Sequence, residues 1–285
     1  MLRFRGKALP ETSLVMAIVN RTPDSFFDQG ATYGLAAALD RIDQVVEQGA
    51  HIVDIGGVKA APGEEVSAGE EARRVVEVVE QVRDRHPDLV LSVDTYRASV
   101  ARLVLAAGAD IVNDAWQAPE PETFDVAAEY GAGIVCTHAG HLPPRTRPHR
   151  VAYADVVADV VATVTGLAER AVAAGVPRES VLIDPGHDFG KNTRHSLAIT
   201  ARTSELVATG WPVLMALSRK DFVGEVLDLL PDERLEGTLA ATALCAWQGA
   251  RVFRVHDVPA TLRVLQMVDA VKGLTQPVLN VRGLA

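Results

Sequence analysis

The feature that most constrains the fold is a repeated order, in which a short apolar run precedes a segment with helical spacing. The apolar runs are rich in Val and Ile and show little alternation, which is typical of strands buried on both faces of a parallel sheet. The predicted strands are Leu14–Asn20, Ile52–Gly57, Leu89–Asp94, Ile111–Asp114, Gly133–His138, Val181–Gly186, Pro212–Ser218 and Arg251–Asp257.

Between these runs, apolar residues recur at a spacing of three to four, which predicts helices. The predicted helices are Gly34–Gln48, Ala68–Arg85, Ala98–Ala107, Glu122–Tyr130, Ala154–Ala174, His195–Thr209, Glu233–Trp247 and Pro259–Val271. Strict alternation without a composition break predicts one α/β domain over residues 1–285, a closed (β/α)₈ TIM barrel. An open, doubly wound sheet is the structural alternative.

Charge and composition exclude several classes of function. The formal net charge is −9, so we expect neither a nucleic-acid partner nor an anionic membrane surface. Cys136 and Cys245 match no metal motif and are predicted to be reduced, buried thiols. The sequence shows neither an apolar signal region at its start nor a stretch as long as a membrane span, so we expect a cytoplasmic protein.

Polar side chains stand at or near the end of every predicted strand. In a barrel, the carboxyl ends of the strands meet on one rim, where barrel enzymes place their chemistry. One such residue serves solubility as readily as function, but a polar residue in all eight positions indicates a functional rim. The residues are Asn20, Asp54, Asp94, Asn113, His138, Asp184, Ser218 and His256.

Two of these rim residues are carboxylates that suit an amidine-like ring edge. Asp94 and Asp184 can each accept paired hydrogen bonds from the N–C–NH₂ unit of a pterin or guanine. Phe189, in the loop after Asp184, can supply an apolar wall. Capping of the following helix explains Asp94 equally well.

The loops after the seventh and eighth strands of a barrel commonly form an anion site. Here they carry Lys220, Arg254 and His256, a local cationic cluster suited to a diphosphate, although helix capping and salt bridges also explain it. Asn20 precedes a turn at Pro23-Asp-Ser25 and can hold a metal-bound phosphate oxygen. The spacing of His138, His141 and His149 does not resemble a zinc site and predicts a mobile polar loop.

Taken in order, the motifs NRTPDSF, SVDTYR, ND, DPGHDFGK, SRKDFVG, GTLAATA and RVHDV resemble the dihydropteroate synthase family, from Met16 to Asp257. That family condenses 6-hydroxymethyl-dihydropterin diphosphate with 4-aminobenzoate and releases diphosphate. The resemblance implies that pterin and 4-aminobenzoate, or its sulfone and sulfonamide analogues, are the small-molecule partners.

The resemblance also implies roles for individual residues. Asp94, Asn113, Asp184 and Lys220 would line the pterin pocket, and Ser218 and Phe189 would lie toward the aminobenzoate. Arg254 would stack on the pterin and, with His256 and Asn20, hold the diphosphate. Mg²⁺ would be the cofactor, bound to the diphosphate beside Asn20. Lys220, Arg254 and His256 would be the catalytic residues.

The sequence departs from the family pattern mainly in its second loop. The segment Val58-Lys-Ala-Ala-Pro-Gly63 stands where the family has Glu-Ser-Thr-Arg-Pro-Gly, so Ala60 and Ala61 replace a threonine and an arginine. Arg21 replaces a small apolar residue, and Lys59 and Arg21 are nearby cations.

Two further departures lie near the fifth and sixth strands. His187-Asp188 replaces Ile-Gly, and a methionine usual on either side of His138 is Thr137 or Ala139. Together with the rewritten second loop, these changes resemble the second, diverged actinobacterial dihydropteroate synthase paralogue, regarded as inactive in folate synthesis.

We therefore expect a partly retained pterin diphosphate pocket, with condensation weak or lost. A working synthase and a pterin-dependent methyltransferase-type barrel are the alternatives. The late helices carry an excess of apolar residues and the family commonly dimerises through its last helices, so we expect a homodimer. The apolar residues are Leu235, Leu239, Leu244, Trp247, Leu262 and Leu265.

Overall fold

The computed structural model describes residues 1–22, 31–60, 62–146, 152–279 and 281–282. After a short hairpin of β1 (Arg3–Phe4) and β2 (Lys7–Ala8), eight parallel strands follow. They are β3 (Leu14–Asn20), β4 (Ile52–Gly56), β5 (Val90–Asp94), β6 (Ile111–Asp114), β7 (Gly133–Thr137), β8 (Val181–Asp184), β9 (Leu214–Met215) and β10 (Val252–Val255).

The strands lie in the order β8-β7-β6-β5-β4-β3-β10-β9, so neighbours in sequence are neighbours in space. A parallel bridge between Ile183 and Val213 joins the two ends of this sheet. The sheet is therefore a barrel, as predicted, and the open doubly wound alternative is wrong.

Helices surround the barrel. They are α1 (Leu35–Glu47), α2 (Ala68–Arg85), α3 (Ala98–Ala106), α4 (Glu122–Glu129), α5 (Val156–Ala173), α6 (Thr193–Ala201), α7 (Thr203–Val207), α8 (Asp221–Leu227), α9 (Leu235–Trp247) and α10 (Val258–Val271). None of the helices in the described residues is long and apolar enough to cross a membrane. Cys136 and Cys245 are free and buried, as predicted.

The structure corrects several predicted boundaries. The helix predicted over His195–Thr209 is broken at Arg202, whose φ of −112° and ψ of 25° end α6 and begin α7. The seventh strand is only Leu214–Met215 and does not extend to Ser218, and the chain turns further on at Arg219, with a φ of 56°. The helix predicted from Glu233 begins at Leu235, after a 3₁₀ turn. Helix α8 was not predicted.

Side chains alternate along the barrel strands and thereby divide the core. Outward residues such as Val15, Val53 and Val93 pack against the helices. Inward residues such as Met16, Ile52 and Val90 form a second apolar cluster inside the barrel. Side chains alternate along a strand, so the inward residues that follow Ile52 and Val90 toward the carboxyl rim are Asp54 and Ser92, which are both polar.

The amino-terminal hairpin closes the opposite end of the barrel. Phe4 is completely buried in the interior cluster. A Cβ atom at Gly133 would lie 2.4 Å from the Phe4 ring and 2.6 Å from the Ser180 carbonyl oxygen, so only glycine fits there. With this end plugged, the carboxyl rim is the open end of the barrel.

Candidate functional site

Asp54 is the centre of the polar layer at the carboxyl rim. It points inward from β4, is fully buried, and accepts hydrogen bonds from three side chains. Ser92 Oγ lies 2.6 Å away, Asn113 Nδ2 lies 3.1 Å away and Arg254 Nε lies 2.6 Å away. A buried carboxylate needs such partners, since an isolated one would be strongly disfavoured.

Arg254 bridges this carboxylate to a second one. Its Nη2 lies 3.3 Å from Asp94 Oδ2, one inward position closer to the rim. Burial raises the pKa of Asp94 to about 7, although Arg254 lowers it; Asp54 adds to the rise. The guanidinium therefore lies across the acceptor side of the pocket.

Asp184 ends β8 on the same inward face and accepts a hydrogen bond from Gly186 N at 2.7 Å. Burial raises the pKa of Asp184, and the charge of Lys220 opposes the rise. Burial lowers the pKa of Lys220, against the attraction of Asp188 and Asp184. Asp94 and Asp184 thus lie at one end of the barrel, as predicted, with Lys220 on the Asp184 side.

His187 and Asp188, the unusual pair in this loop, hold Lys220. Its ammonium donates to His187 O. The Asp188 carboxylate accepts from Asp221 N at 2.8 Å and from Ser196 Oγ at 3.1 Å, although Asp188 has a left-handed φ of 67°. That conformation favours glycine, so the carboxylate contacts offset a backbone cost.

Phe189 packs in an apolar cluster after β8, and its role as the wall of a ligand pocket stays a prediction. Its ring packs edge-on against Trp116 with centroids 5.0 Å apart, in a small cluster with Tyr96 and Ala139. The Lys220 ammonium lies 4.8 Å from the centroid of the Phe189 ring. A cation against an aromatic face is favourable, which further fixes Lys220.

Ser218 and His256 form a pair at the junction of the last two units. The His256 amide donates to Ser218 Oγ at 3.2 Å, and the same Oγ forms a hydrogen bond of 2.9 Å with His256 Nδ1. The tautomer of the imidazole decides which of these two groups donates in the second contact. Ser218 therefore serves His256 here, besides its predicted place near the second substrate.

Arg219, which sequence analysis did not single out, ties these loops together. Its Nε and Nη2 bind both Asp257 oxygens, at 2.8 and 3.0 Å. Such a two-point contact is rigid and fixes the residues on either side, including Lys220 and His256. Arg219 thus has a positioning role.

Asn20 ends β3 on the inward face, beside Gly56. A Cβ atom at Gly56 would lie 3.3 Å from Asn20 Oδ1, so the glycine leaves room for this amide. Thr32 donates to the Asn20 carbonyl oxygen at 2.6 Å and anchors the start of α1 there. The turn predicted at Pro23–Ser25 lies outside the described residues.

Arg21 does not point toward the polar layer. Its Nε and Nη2 donate to Tyr33 O, at 3.0 and 2.8 Å, and its Nη1 donates to Arg74 O at 2.8 Å. The side chain is only 9% exposed. Arg21 therefore links the start of α1 to α2, and its role is structural because its guanidinium binds backbone carbonyl oxygens. Ala61 lies outside the described residues.

The buried ammonium of Lys191 is hydrogen-bonded to several groups in the loops after β7 and β8. Its Nζ lies 2.7 Å from His138 Nδ1, 2.9 Å from Gly186 O and 2.8 Å from Phe189 O. Burial lowers the pKa of Lys191 to about 7, against the attraction of Asp184. Lys191 thereby holds Phe189 and the turn after Asp184 in place.

Asp159 joins His138 and His141 in a cluster that sequence spacing did not reveal. His138 Nε2 lies 2.8 Å from Asp159 Oδ1, and His141 Nε2 lies 4.0 Å from the same oxygen. Three such groups can hold a cation. The third histidine of the sequence motif, His149, lies outside the described residues.

The other ring nitrogens argue against a metal in this cluster. Gly140 N donates to His138 Nδ1. Gln117 Oε1 accepts two backbone N–H groups, so Gln117 Nε2 donates to His141 Nδ1 at 2.7 Å. Metal-binding histidines instead donate from their second nitrogen. We therefore interpret the cluster as a hydrogen-bonded anchor of this loop, and the absence of a zinc site stays a prediction.

The pocket above Asp94 is nearly closed. A cavity of about 10 Å³ lies against Asp94, Tyr96 and Trp116. A larger one of about 560 Å³ lies at the opposite end of the barrel, beside Leu2 and Trp211. Because every polar group described above lies at the carboxyl rim, the small cavity marks the candidate site.

The fold and this acid-rich rim define a class of protein, the barrel enzymes that bind pterins. Residues 16–256 match the protein family described as "Pterin binding enzyme". The chain belongs to the dihydropteroate synthase family within that class.

Relatives of two kinds support this assignment. The protein of Mycobacterium tuberculosis named "Inactive dihydropteroate synthase 2" is 57% identical over 279 residues, covering 96% of this chain and 88% of its own. The Bacillus subtilis dihydropteroate synthase is 42% identical over 262 residues, covering 91% of this chain and 89% of its own.

Solved structures agree on the fold. The Yersinia pestis dihydropteroate synthase with a sulfonamide drug complex has a TM-score of 0.91 and 38% identity, covering 96% of this chain and 99% of its own. The Xanthomonas albilineans enzyme with 4-aminobenzoic acid has a TM-score of 0.83 and 39% identity, covering 92% and 94%.

Proposed function

We propose that this chain is a dihydropteroate synthase-like protein that retains part of the pterin diphosphate pocket but condenses it with 4-aminobenzoate weakly or not at all. The observation that carries the proposal is the inward layer of acceptors at the carboxyl rim, formed by Asp54, Asp94, Asn113 and Asp184.

A pterin has N–H donors along one edge, and this layer offers buried acceptors for them. Asp94 and Asp184 take the two predicted acceptor roles, with Asn113 between them in the barrel. A buried N–H without a partner costs about 1–3 kcal/mol, so the match discriminates strongly among rings. Arg254 must turn away from Asp94 as the ring enters, and its planar guanidinium can then stack on the ring.

The diphosphate requires positive charge near its oxygens. Arg254, once it turns away from Asp94, and the imidazole of His256 are the groups that we propose for this contact, and Lys220 lies beside Phe189. Developing charge on a leaving diphosphate is best stabilised by such preorganised donors.

Mg²⁺ fits this arrangement. Asn20 ends β3 at the carboxyl rim, and its amide oxygen is a hard ligand of the kind that Mg²⁺ prefers. Mg²⁺ commonly keeps several waters and takes one or two protein ligands plus substrate phosphates. Asn20 would hold the ion, which would neutralise charge on the diphosphate.

The second-substrate loop supplies the reason for weak condensation. Ala60 and Ala61 lack the hydroxyl and the guanidinium of the family pattern. Losing one preorganised donor typically costs about 10²–10³ in rate. Arg21 does not compensate, because its guanidinium is held by Tyr33 O and Arg74 O. The name of the Mycobacterium tuberculosis relative is in line with such a loss.

A working synthase remains the competing function, since Lys220, Ser218 and Arg254 are all present at the rim. Calorimetry with 6-hydroxymethylpterin tests the retained pocket, and steady-state turnover of the pterin diphosphate with 4-aminobenzoate tests the condensation. Pterin binding without appreciable turnover supports the proposal. Ordinary turnover supports the working synthase, and absence of pterin binding contradicts both.

We also propose that the protein is a homodimer through α9 and α10. Five apolar side chains on and after these helices are more than half exposed, namely Leu244, Trp247, Met267, Val271 and Leu274. Of the predicted interface residues, Leu265 instead packs in the core. Light scattering tests this assembly, with Trp247→Glu expected to give monomers; a monomeric wild type would contradict it. The cytoplasmic location stays a prediction.

A further inference from the structure

Trp116 lies at the mouth of the pocket, just after the Asn113-Asp114 pair that ends β6. Its side chain is only 6% exposed and lines the small cavity above Asp94, together with Tyr96. That cavity, of about 10 Å³, has room for about one water, whereas sites for small organic molecules typically measure about 300–1,000 Å³. A ring that binds at Asp94 must therefore displace side chains around the cavity.

Trp116 and Phe189 form an aromatic pair across this mouth. The Phe189 ring meets the Trp116 ring edge-on, with centroids 5.0 Å apart and an interplanar angle of 83°. Aromatic rings in direct contact have centroids about 4.5–7 Å apart, so no layer of ligand atoms fits between these two rings. Phe189 also contacts the Lys220 ammonium, which lies on the Asp184 side of the pocket. The aromatic pair therefore extends from the Asp94 side of the pocket to the Asp184 side.

The backbone around Trp116 fixes its side chain in this place. The buried Asp114 carboxylate accepts a hydrogen bond from Trp116 N at 2.8 Å. The next two residues, Gln117 and Ala118, both have left-handed φ values, of 67° and 52°. Neither is a glycine, so this turn has a conformational cost that its contacts must offset.

The Gln117 side chain supplies those contacts. Its Oε1 accepts from Ala139 N and His141 N, both at 3.1 Å, and its Nε2 lies 2.7 Å from His141 Nδ1. The loop after β6 is thereby fixed to the loop after β7. Phe189 is fixed in turn by the hydrogen bond that Lys191 donates to its carbonyl oxygen, at 2.8 Å. Both members of the aromatic pair are therefore anchored through their backbones, and parting the two rings disrupts these contacts.

We propose that Trp116 is a specificity-determining residue, which admits a pterin with a small substituent and disfavours one that carries an aryl group. A pterin that donates to Asp94 and Asp184 lies beneath the aromatic pair, so a long substituent has to leave the pocket past these two rings. A hydroxymethyl group is small enough to stay below them, whereas an aryl group requires Trp116 and Phe189 to part. This inference rests on the proposed function, because it concerns which pterins that same pocket admits.

Two ligands that differ in this substituent test the proposal. Calorimetry would measure 6-hydroxymethylpterin and pteroate on the full-length protein. We expect the wild type to bind 6-hydroxymethylpterin at least about tenfold more tightly than pteroate, a factor typical of steric discrimination in a pocket. Trp116→Ala should raise the affinity for pteroate at least about tenfold, because the aryl group then has room. Its affinity for 6-hydroxymethylpterin should stay within about threefold, because Asp94 and Asp184 are unchanged.

The matched control is Trp211→Ala, because Trp211 is 5% exposed, as deeply buried as Trp116, but lies at the opposite end of the barrel. It should keep the preference of the wild type for 6-hydroxymethylpterin. Trp116→Leu keeps an apolar side chain in the cluster and should show the same gain for pteroate as Trp116→Ala. The test therefore does not depend on the stability of the alanine variant alone.

Equal, measurable affinities of the wild type for the two ligands would overturn the assignment. So would a gain for pteroate in the Trp116 variants no larger than in Trp211→Ala. A wild type that binds neither ligand contradicts the proposed retained pocket instead. In that case, binding gained by the Trp116 variants still supports the steric role of Trp116, and no binding by any variant overturns it.

Discussion

Arg254 Nε lies 2.6 Å from Asp54 Oδ2, while the Nη2 of the same guanidinium lies 3.3 Å from Asp94 Oδ2. One cation thus bridges carboxylates of two adjacent strands inside the barrel. The Asp54 carboxylate is fully buried and also accepts from Asn113, whereas Asp94 is 15% exposed at the rim. The first contact therefore belongs to the fold, and the second is the one that an entering ring displaces.

Asp54→Asn tests the structural half of this bridge. The substitution keeps the volume but leaves Arg254 without its buried counter-charge, and breaking a buried pair costs about 3 kcal/mol. We expect a loss of that size in the free energy of unfolding, measured with urea. Asp94→Asn is the control and should cost less than half as much, because its contact is longer and partly exposed. Equal losses in the two variants would contradict this division.

Pterin affinity should depend on pH through Asp94. Its pKa is raised to about 7 because burial disfavours the carboxylate. A raised pKa means that the group takes up a proton as the pH falls through about 7, and it then loses an acceptor for the ring. We expect calorimetric affinity for 6-hydroxymethylpterin to fall between about pH 8 and about pH 6. The dependence should be flatter in Asp94→Asn.

Much of the fold could be predicted from the sequence because buried parallel strands carry an unbroken apolar signal. The exceptions have physical causes. Strand β9 ends at Met215, before the predicted end at Ser218, and α8 has only seven residues, too few for an apolar spacing of three to four to repeat clearly. The plug formed by Phe4 depends on Gly133, a contact between distant positions that no local pattern reveals.

The candidate site was predictable in its rim residues and less so in their partners. Asp94, Asn113, Asp184, Lys220, Arg254 and His256 follow from strand ends and motifs. Asp54 was recognised as a rim residue, but its place as the shared acceptor of three side chains is tertiary. The guanidinium of Arg21, a cation near the second loop in the sequence, faces backbone carbonyl oxygens instead. It donates to Tyr33 O, just before α1, and to Arg74 O in α2.

Lys191→Met should loosen the loop after β8. The substitution leaves the carbonyl oxygen of Phe189 without its Lys191 donor, whereas Gly186 O keeps the hydrogen bond from Phe189 N, and a buried unsatisfied acceptor costs about 1–3 kcal/mol. We expect a destabilisation of about 2 kcal/mol, measured by urea unfolding. Lys272→Met, which removes one contact to Ala246 O near the surface, should change stability by less than about 0.5 kcal/mol. Comparable losses would show that Lys191 is not the anchor.

Arg21→Val should destabilise the protein rather than open the site. It removes the donors to Tyr33 O and Arg74 O, which we expect to cost about 2 kcal/mol. Pterin affinity should stay within about twofold, because the side chain does not face the pocket. Exposed Arg85, whose pair with Asp43 lies on the surface, provides the control Arg85→Ala. A gain in pterin affinity would place Arg21 in the site.

Restoring the second loop should recover part of the condensation. The triple substitution Lys59→Ser, Ala60→Thr and Ala61→Arg returns the hydroxyl and guanidinium of the family pattern, with Arg21 left in place to preserve α2. We expect turnover to rise by at least about tenfold, a fraction of what one such donor supplies. The single change Lys59→Ser is the control and should give no rise. An unchanged rate in the triple variant would assign the loss to His187-Asp188 instead.

The most direct test of the central claim is steady-state turnover of 6-hydroxymethyl-dihydropterin diphosphate with 4-aminobenzoate by the wild-type protein, with Mg²⁺ present. The claim is that a pterin pocket persists without an effective second-substrate loop. It predicts a rate below about 0.01 s⁻¹, at least a hundredfold under ordinary enzyme rates. A rate of about 1 s⁻¹ or above would contradict it and establish a working synthase.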